Sequence, residues 1–414
     1  MQTLLVFISV AALSVLASNQ RLLEAGRFFN LAQLAASGMI FLLLGAALGP
    51  GGGDLLHSAD LTAARPLLAL GLGLGGMLMG LNMDPSLLRA LPRAVWVAAA
   101  THSGLAFLMV AIPIAGVLIL MLGVDVPVAI GAAALLGGAA SISSSNFAVL
   151  WHRAGRLDRL TGLSITLLTL LDDLMGVLVL ALALVFGAES GLGAGVGLVA
   201  LAVLLGVLCG ALTAYLIHES GDGAEMTAIL LGSVGLVSGA AAFLSVSSLI
   251  AGLSCGVTLA FIGGKKIETA RRALARPERP VYLVLLFLVG AHVQLTNWVG
   301  WLLVPTYIAL RFAGKIYGGR LATKAAGSTL HLPPELGFAL LGQGSVSLCL
   351  LIEYLILVPG TSSQLVFDVG VAAAVVNEVL ATRTFRLSLG AEAKTQPDLP
   401  ADYELNLPVD RSGT

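Results

Sequence analysis

Long apolar stretches recur from Met1 to about residue 388, separated by short polar connections. A helix needs about 20 mostly apolar residues to cross the hydrocarbon core of a bilayer. By that window the pattern predicts helices near 1–17, 31–49, 64–82, 94–120, 127–150, 161–187 and 192–217. Further helices are predicted near 224–243, 246–262, 280–296, 299–321, 335–358 and 364–388, which makes about 13 spans. The tightest junction lies at 243–246. Runs of Gly, Ala and Leu over such lengths lack the strict alternation of short strands, which excludes a transmembrane barrel. Met1 to Ala17 has no basic stretch before its apolar run and reads as an uncleaved first helix rather than a signal peptide. The chain thus divides into a membrane part, 1–388, and a polar tail, 389–414, with Pro397, Pro400 and Pro408. The tail is expected to be disordered and cytoplasmic.

Composition supports an all-α polytopic membrane protein. Only 11% of the 414 residues are charged, 57% are hydrophobic, and the net charge is −1. A soluble domain averages about 25% charged residues, and a nucleic-acid binder needs a concentrated basic surface. Cys209, Cys255 and Cys349 sit in apolar stretches without ligand spacing, so neither a disulfide framework nor a metal site is implied.

The basic residues set the orientation. Nineteen of the 22 Lys and Arg fall in odd-numbered connections or the tail, six of them at 265–279, and only Arg65 falls in an even-numbered one. By the positive-inside rule the N-terminus is outside and the C-terminus cytoplasmic, in a cell (inner) membrane. The 265–279 cluster reads as a topology-setting loop.

The two remaining basic residues, Arg311 and Lys315, lie inside an apolar helix, four apart and so on one face. Asp172 and Asp173 lie near the middle of another, roughly 17 Å along it at about 1.5 Å per residue. Glu353 and Glu378 fall in later spans and are candidate accessory acids. A central charge costs about 2.5 to 3.5 kcal/mol on insertion scales, so such residues point to an ion or proton site. Adjacent acids on a helix point about 100° apart, so one can pair with a base while the other faces a cavity.

Two spans are interrupted at similar depth. Ser141, Ser143, Ser144 and Asn146 follow Gly137 and Gly138 in the fifth, and Gly342-Gln343-Gly344-Ser345 interrupts the twelfth. ALLGGAAS at 134–141 echoes ALLGQGS at 339–345. The fifth span runs inward and the twelfth outward, as an inverted-topology repeat requires.

Several stretches together resemble the monovalent cation:proton antiporters of the sodium/proton exchanger superfamily, which includes the potassium efflux systems. FLLLGAALGP (41–50), LGLGLGGMLMGLNMDP (70–85) and ASISSSNFAVLWHRAG (140–155) are similar to its second, third and first broken helices. LLDDLMGVLVLAL (170–182) resembles its paired-acid helix, FLVGAHVQL (287–295) a later one, and IALRFAGKIYGGRLA (308–322) its basic helix. The resemblance implies two crossing broken helices in a core domain beside a dimerisation domain, in a homodimer. It implies that Asp173 binds the cation or proton and that Asp172 pairs with Lys315, with Arg311 as substitute partner. The paired-Asp form is associated with electrogenic exchange. No cofactor is implied beyond the transported sodium, lithium or potassium, and protons. Departures are Ser345, where many relatives carry an acid, and serines in place of a Thr-Ser stretch.

The expected function is therefore exchange of a monovalent cation, sodium first, for protons by alternating access, serving pH homeostasis. The alternative is a sodium-coupled symporter of an organic anion on the same crossed helices. An intramembrane aspartyl protease is more distant, because such enzymes carry their acids on separate helices. His102 and His292 are intramembrane and read as helix-packing residues before pH sensors.

Overall fold

The computed structural model describes residues 2–17, 38–83, 88–89, 91–144, 159–188, 191–220, 223–294, 298–327, 332 and 336–390. Its first helices are α1 (Gln2–Ala17), α2 (Met39–Leu48), α3 (Ser58–Ala63), α4 (Arg65–Leu81) and α5 (Arg93–Gly116). Then come α6 (Val126–Ser141), α7 (Arg159–Gly187), α8 (Leu192–Glu219), α9 (Ala224–Phe243) and α10 (Ser248–Ile262). The chain continues through α11 (Ile267–Ala291), α12 (Trp298–Ala326), α13 (Leu336–Ala339), α14 (Ser345–Leu357) and α15 (Thr361–Gly390). Each of the 13 predicted segments holds at least one of these helices, and no strand occurs among the described residues. Among the described residues, five helices are long and apolar enough to cross a membrane by length and composition: α5 with its π turn, α7, α8, α9 and α15. Six more, α1, α2, α4, α6, α10 and α14, are shorter apolar helices.

The expected loop at 265–279 is a helix. After one 3-10 turn at Gly264–Lys266, α11 runs unbroken from Ile267 through Pro277 and Pro280. Prolines and dense charge read as an interruption in sequence. However, Ala270 and Leu274 bury one face four residues apart while Arg272 and Arg276 stay exposed, which makes the entry turns amphipathic. Two of the basic residues also serve helix ends. Lys266 Nζ donates to the carbonyls of Ile217 (3.1 Å) and Ser220 (2.6 Å), and Arg271 Nη2 donates to Leu81 O (2.9 Å). These are the C-terminal turns of α8 and α4, where carbonyls lack intrahelical partners and the dipole favours a cation. At the other end, α15 reaches Gly390, two residues past the expected edge, and the predicted tail from 391 lies outside the described residues.

The helices sort into two bundles by what they touch. In one, α4 packs on α10, α9 and α11; α11 packs on α2 and α1; and α8 packs on α10 and α9. In the other, α5 packs on α12 and α6, α6 on α7, α14 and α15, and α12 on α13 and α15. The sequential pair α7 and α8 joins them, and α14 leans on α10, α11 and α4. Helix association in a membrane relies on close packing, because lipid tails are as apolar as leucine. Accordingly α2 and α11 meet backbone to backbone: a Cβ on Gly45 would lie 1.9 Å from Phe287 O, and one on Gly290 1.9 Å from Leu42 O. In the same way Gly76 and Gly252 bring α4 and α10 together. The glycine stripe of α4 thus packs on one side, while Gly75 opens onto a cavity between the bundles.

Candidate functional site

Two interruptions meet at the centre of the second bundle. α6 ends at Ser141 and the chain leaves it in an extended conformation at Ile142. Between α13 and α14 the chain is non-helical from Leu340 to Gly344. Ser144 N donates to Gly342 O at 2.9 Å, so one break is hydrogen-bonded to the other. Glycines and serines are poor helix formers, which localises the breaks. Unwound backbone at membrane depth needs partners for its freed carbonyls, and α12 supplies them. Arg311 donates to Leu341 O (2.6 Å), Ile142 O (3.1 Å) and Gly342 O (3.3 Å). One turn later Lys315 donates to Ser141 O and, at 2.6 Å, to Ser143 Oγ. Both basic side chains are 0% exposed.

Asp172 sits within this frame. Its Oδ2 lies 3.6 Å from Lys315 Nζ and accepts from Ser143 Oγ at 2.6 Å, while Ser103 on α5 donates to Oδ1. His102 Nδ1 is 3.5 Å from the same carboxylate, and His102 is fully buried. The buried charge is thereby both paired and hydrogen-bonded, the condition under which a low-dielectric interior tolerates it. Arg311 binds carbonyls instead of Asp172, so of the two candidate bases on α12 it is Lys315 that lies against the carboxylate.

Asp173 points elsewhere. It borders a cavity of about 540 Å³, and its buried Oδ1 has no hydrogen-bond partner among the described residues. Around it lie Ser143, Ser144, Gln343, Ser345 and Glu378. Asn377 Nδ2 donates to Gln343 Oε1 at 3.0 Å, which orients that amide. The lining extends to Asn82, Ala275 and Glu278, all exposed, at the end of the molecule where α11 begins. The arrangement is a carboxylate with an unpartnered oxygen on a cavity whose lining also carries hydroxyl, amide and carboxylate oxygens. Oxygen donors of this kind suit hard cations.

A sequence model of the transmembrane sodium/hydrogen exchangers matches residues 35–376. The chain belongs to the sodium/hydrogen exchanger family. It is a cation/proton antiporter embedded in a membrane, and the family is one of transporters, not enzymes. A search of curated proteins finds no match. Among solved structures, the sodium proton antiporter MjNhaP1 from Methanocaldococcus jannaschii at pH 8 is similar with a TM-score of 0.62 and 17% identity. That match covers 95% of this chain and 99% of the other. An electron-microscopy structure of the same antiporter gives a TM-score of 0.55 and 16% identity, over 87% and 92% of the two chains. At these identities the likeness is one of fold.

The remaining candidate residues of this exchanger separate cleanly. Glu378 is 5% exposed and lines the cavity with Asp173. Glu353 does not line it. Two turns beyond Ser345, its Oε1 accepts from Ser248 N at 2.6 Å and so caps the start of α10. Asn146 lies outside the described residues. Asp368 on α15 and Ser103 went unnoticed in the sequence. Asp368 is buried and accepts from Gln294 N (3.0 Å) and Gln364 Nε2 (2.9 Å), and Gln364 also donates to His292 O (3.0 Å). An acid within an apolar span was the available signal for Asp368. A lone serine such as Ser103 carries none. These contacts and the Glu353 cap tie the bundles together at the far end of α11, away from the cavity's open side.

Proposed function

We propose that this exchanger moves sodium against protons by alternating access, with Asp173 as the group that holds either the cation or a proton. The unpartnered Asp173 carboxylate oxygen at the cavity wall carries this reading. Serine hydroxyls, the Gln343 amide oxygen and Glu378 add oxygen ligands of the kind a hard cation takes. Asp172, already satisfied by Lys315, Ser103 and Ser143, holds the breaks in register.

An electrogenic cycle follows if Lys315 also gives up its proton when a cation enters. The proton-loaded site then holds neutral Asp173, anionic Asp172 and cationic Lys315. The cation-loaded site holds two carboxylates, one sodium and neutral Lys315. Two protons are released per sodium, and one net charge moves per cycle. The basic residues at the open end support reading that side as cytoplasmic by the positive-inside rule, with the N-terminus outside and this arrangement as the inward-facing state. The Glu353 and Asp368 ties would then close the outer side and part when the core bundle moves. The first bundle offers the face for a homodimer in the cell membrane, as the family resemblance implies.

The test is proteoliposomes loaded acid inside, with pH reported by a quenched dye and sodium, lithium or potassium added in turn. Sodium is expected to dequench the dye, and clamping the potential at inside-negative against zero is expected to change the rate. Dequenching by no cation contradicts the reading. Uptake of an organic anion driven by sodium without a pH gradient would favour symport.

A further inference from the structure

A second cavity lies on the outside of the core bundle, well apart from Asp173. It is a groove of about 650 Å³ along α12, floored by Pro305, Ile308 and Phe312 and walled by Phe338 of α13 and Leu380 of α15. Phe312 and Phe338 meet edge to face with centroids 6.1 Å apart, so the wall is a packed surface. The groove follows one face of α12 at helical spacing and ends at Tyr317 and Arg320. From Pro305 to Arg320 the helix rises about 22 Å, against about 15 Å for the hydrocarbon of one leaflet. The groove is therefore long enough to take an acyl chain along its length.

Its polar end has a distinct character. Arg320 and Lys324 are four residues apart, both exposed, and continue the same face beyond the groove. Neither has an ion-pair or hydrogen-bond partner among the described residues, whereas Lys266, Arg271 and Arg272 at the start of α11 are engaged by Glu268 or by helix carbonyls. Tyr317, 55% exposed, adds a hydroxyl beside them, in the manner of aromatic side chains at a membrane interface. Lys315 sits at the level of the crossed breaks, so Arg320, five residues further on, falls about 7 Å closer to the membrane surface and Lys324 about 13 Å.

We propose that this groove binds one phospholipid with an anionic headgroup, its acyl chain along α12 and its phosphate on Arg320 and Lys324. An apolar trough alone would accept any lipid tail. Two uncompensated cations at its mouth select the charged headgroup, since each such residue near the surface attracts anionic lipid. The site lies on the bundle that carries both breaks, so the lipid would travel with that bundle. The inference rests on the membrane reading of the chain and is independent of which ion is exchanged.

The experiment is native mass spectrometry of the full chain in detergent, with phosphatidylglycerol or phosphatidylcholine of identical chains. The wild type is expected to retain phosphatidylglycerol in preference. The double variant R320Q/K324Q, exposed and so folded as shown by an unchanged melting curve, is expected to lose roughly tenfold or more of that preference. A313W, which fills the groove, is expected to lose bound lipid of both kinds. Equal retention of the two lipids by the wild type overturns the proposal, as does a preference that survives R320Q/K324Q. If A313W splits a dimer while lipid retention is unchanged, the groove is occupied by a second copy of the chain and the proposal is wrong.

Discussion

Asp173→Asn is expected to abolish cation-driven proton release, by 100-fold or more against the rate of the unaltered protein, in proteoliposomes with a quenched dye. Asparagine keeps the shape of the side chain but binds neither a proton nor, with any strength, a small cation. The fold should survive, because Asp173 Oδ1 accepts no hydrogen bond and lies at a cavity wall. A melting temperature equal to or above that of the parent is therefore expected, since a partly desolvated carboxylate is removed at no cost in contacts. Asp172→Asn should behave in the opposite sense. It leaves Lys315 buried without its carboxylate, so stability falls. Normal exchange by a well-folded Asp173→Asn would remove this residue from the mechanism.

Arg311→Met is expected to produce the largest loss of stability of any single substitution in the core bundle. The guanidinium serves three buried carbonyls, those of Leu341, Ile142 and Gly342, and thereby holds both interruptions at once. Gly342 O keeps its bond from Ser144 N, so two acceptors, Leu341 O and Ile142 O, lose their donor; at about 1–3 kcal/mol for each unsatisfied buried acceptor, the loss is about 2 kcal/mol or more. Methionine fills the volume and supplies no donor. Arg311→Lys should recover only part of the loss, because an ammonium cannot reproduce a fork that reaches two segments of the chain. Thermal melting of the purified variants, followed by size-exclusion chromatography, measures this. A methionine variant as stable as the parent would mean that the breaks are held by something other than α12.

The site was legible where physical cost made it visible. Charges at mid-membrane are expensive, so Asp172, Asp173, Arg311 and Lys315 stand out from an apolar chain. Glycine and serine runs at 137–146 and 342–345 likewise marked the interruptions, and the helices follow from apolar length. What the pattern does not carry is which groups meet. Arg311 reads as a spare partner for Asp172, yet it binds carbonyls that exist as acceptors only because two segments distant in sequence unwind side by side. Ser103 is one serine among many until α5 packs against α7. Glu353 reads as a candidate accessory acid by its placement in a span, and its use as a cap for Ser248 depends on the two bundles touching. The helical start of α11 was hidden by Pro277, Pro280 and dense charge, although its buried positions keep helical spacing.

The central claim is that cation and proton compete for one carboxylate. The direct measurement is the apparent KM for sodium of the wild type in proteoliposomes, taken at successive pH values with the membrane potential clamped. Competition predicts that KM rises as pH falls, approaching tenfold per pH unit where sodium displaces the Asp173 proton alone and steeper where Lys315 releases its proton as well, while the maximal rate at saturating sodium is far less affected. A KM independent of pH, with exchange still present, would contradict a shared site at Asp173.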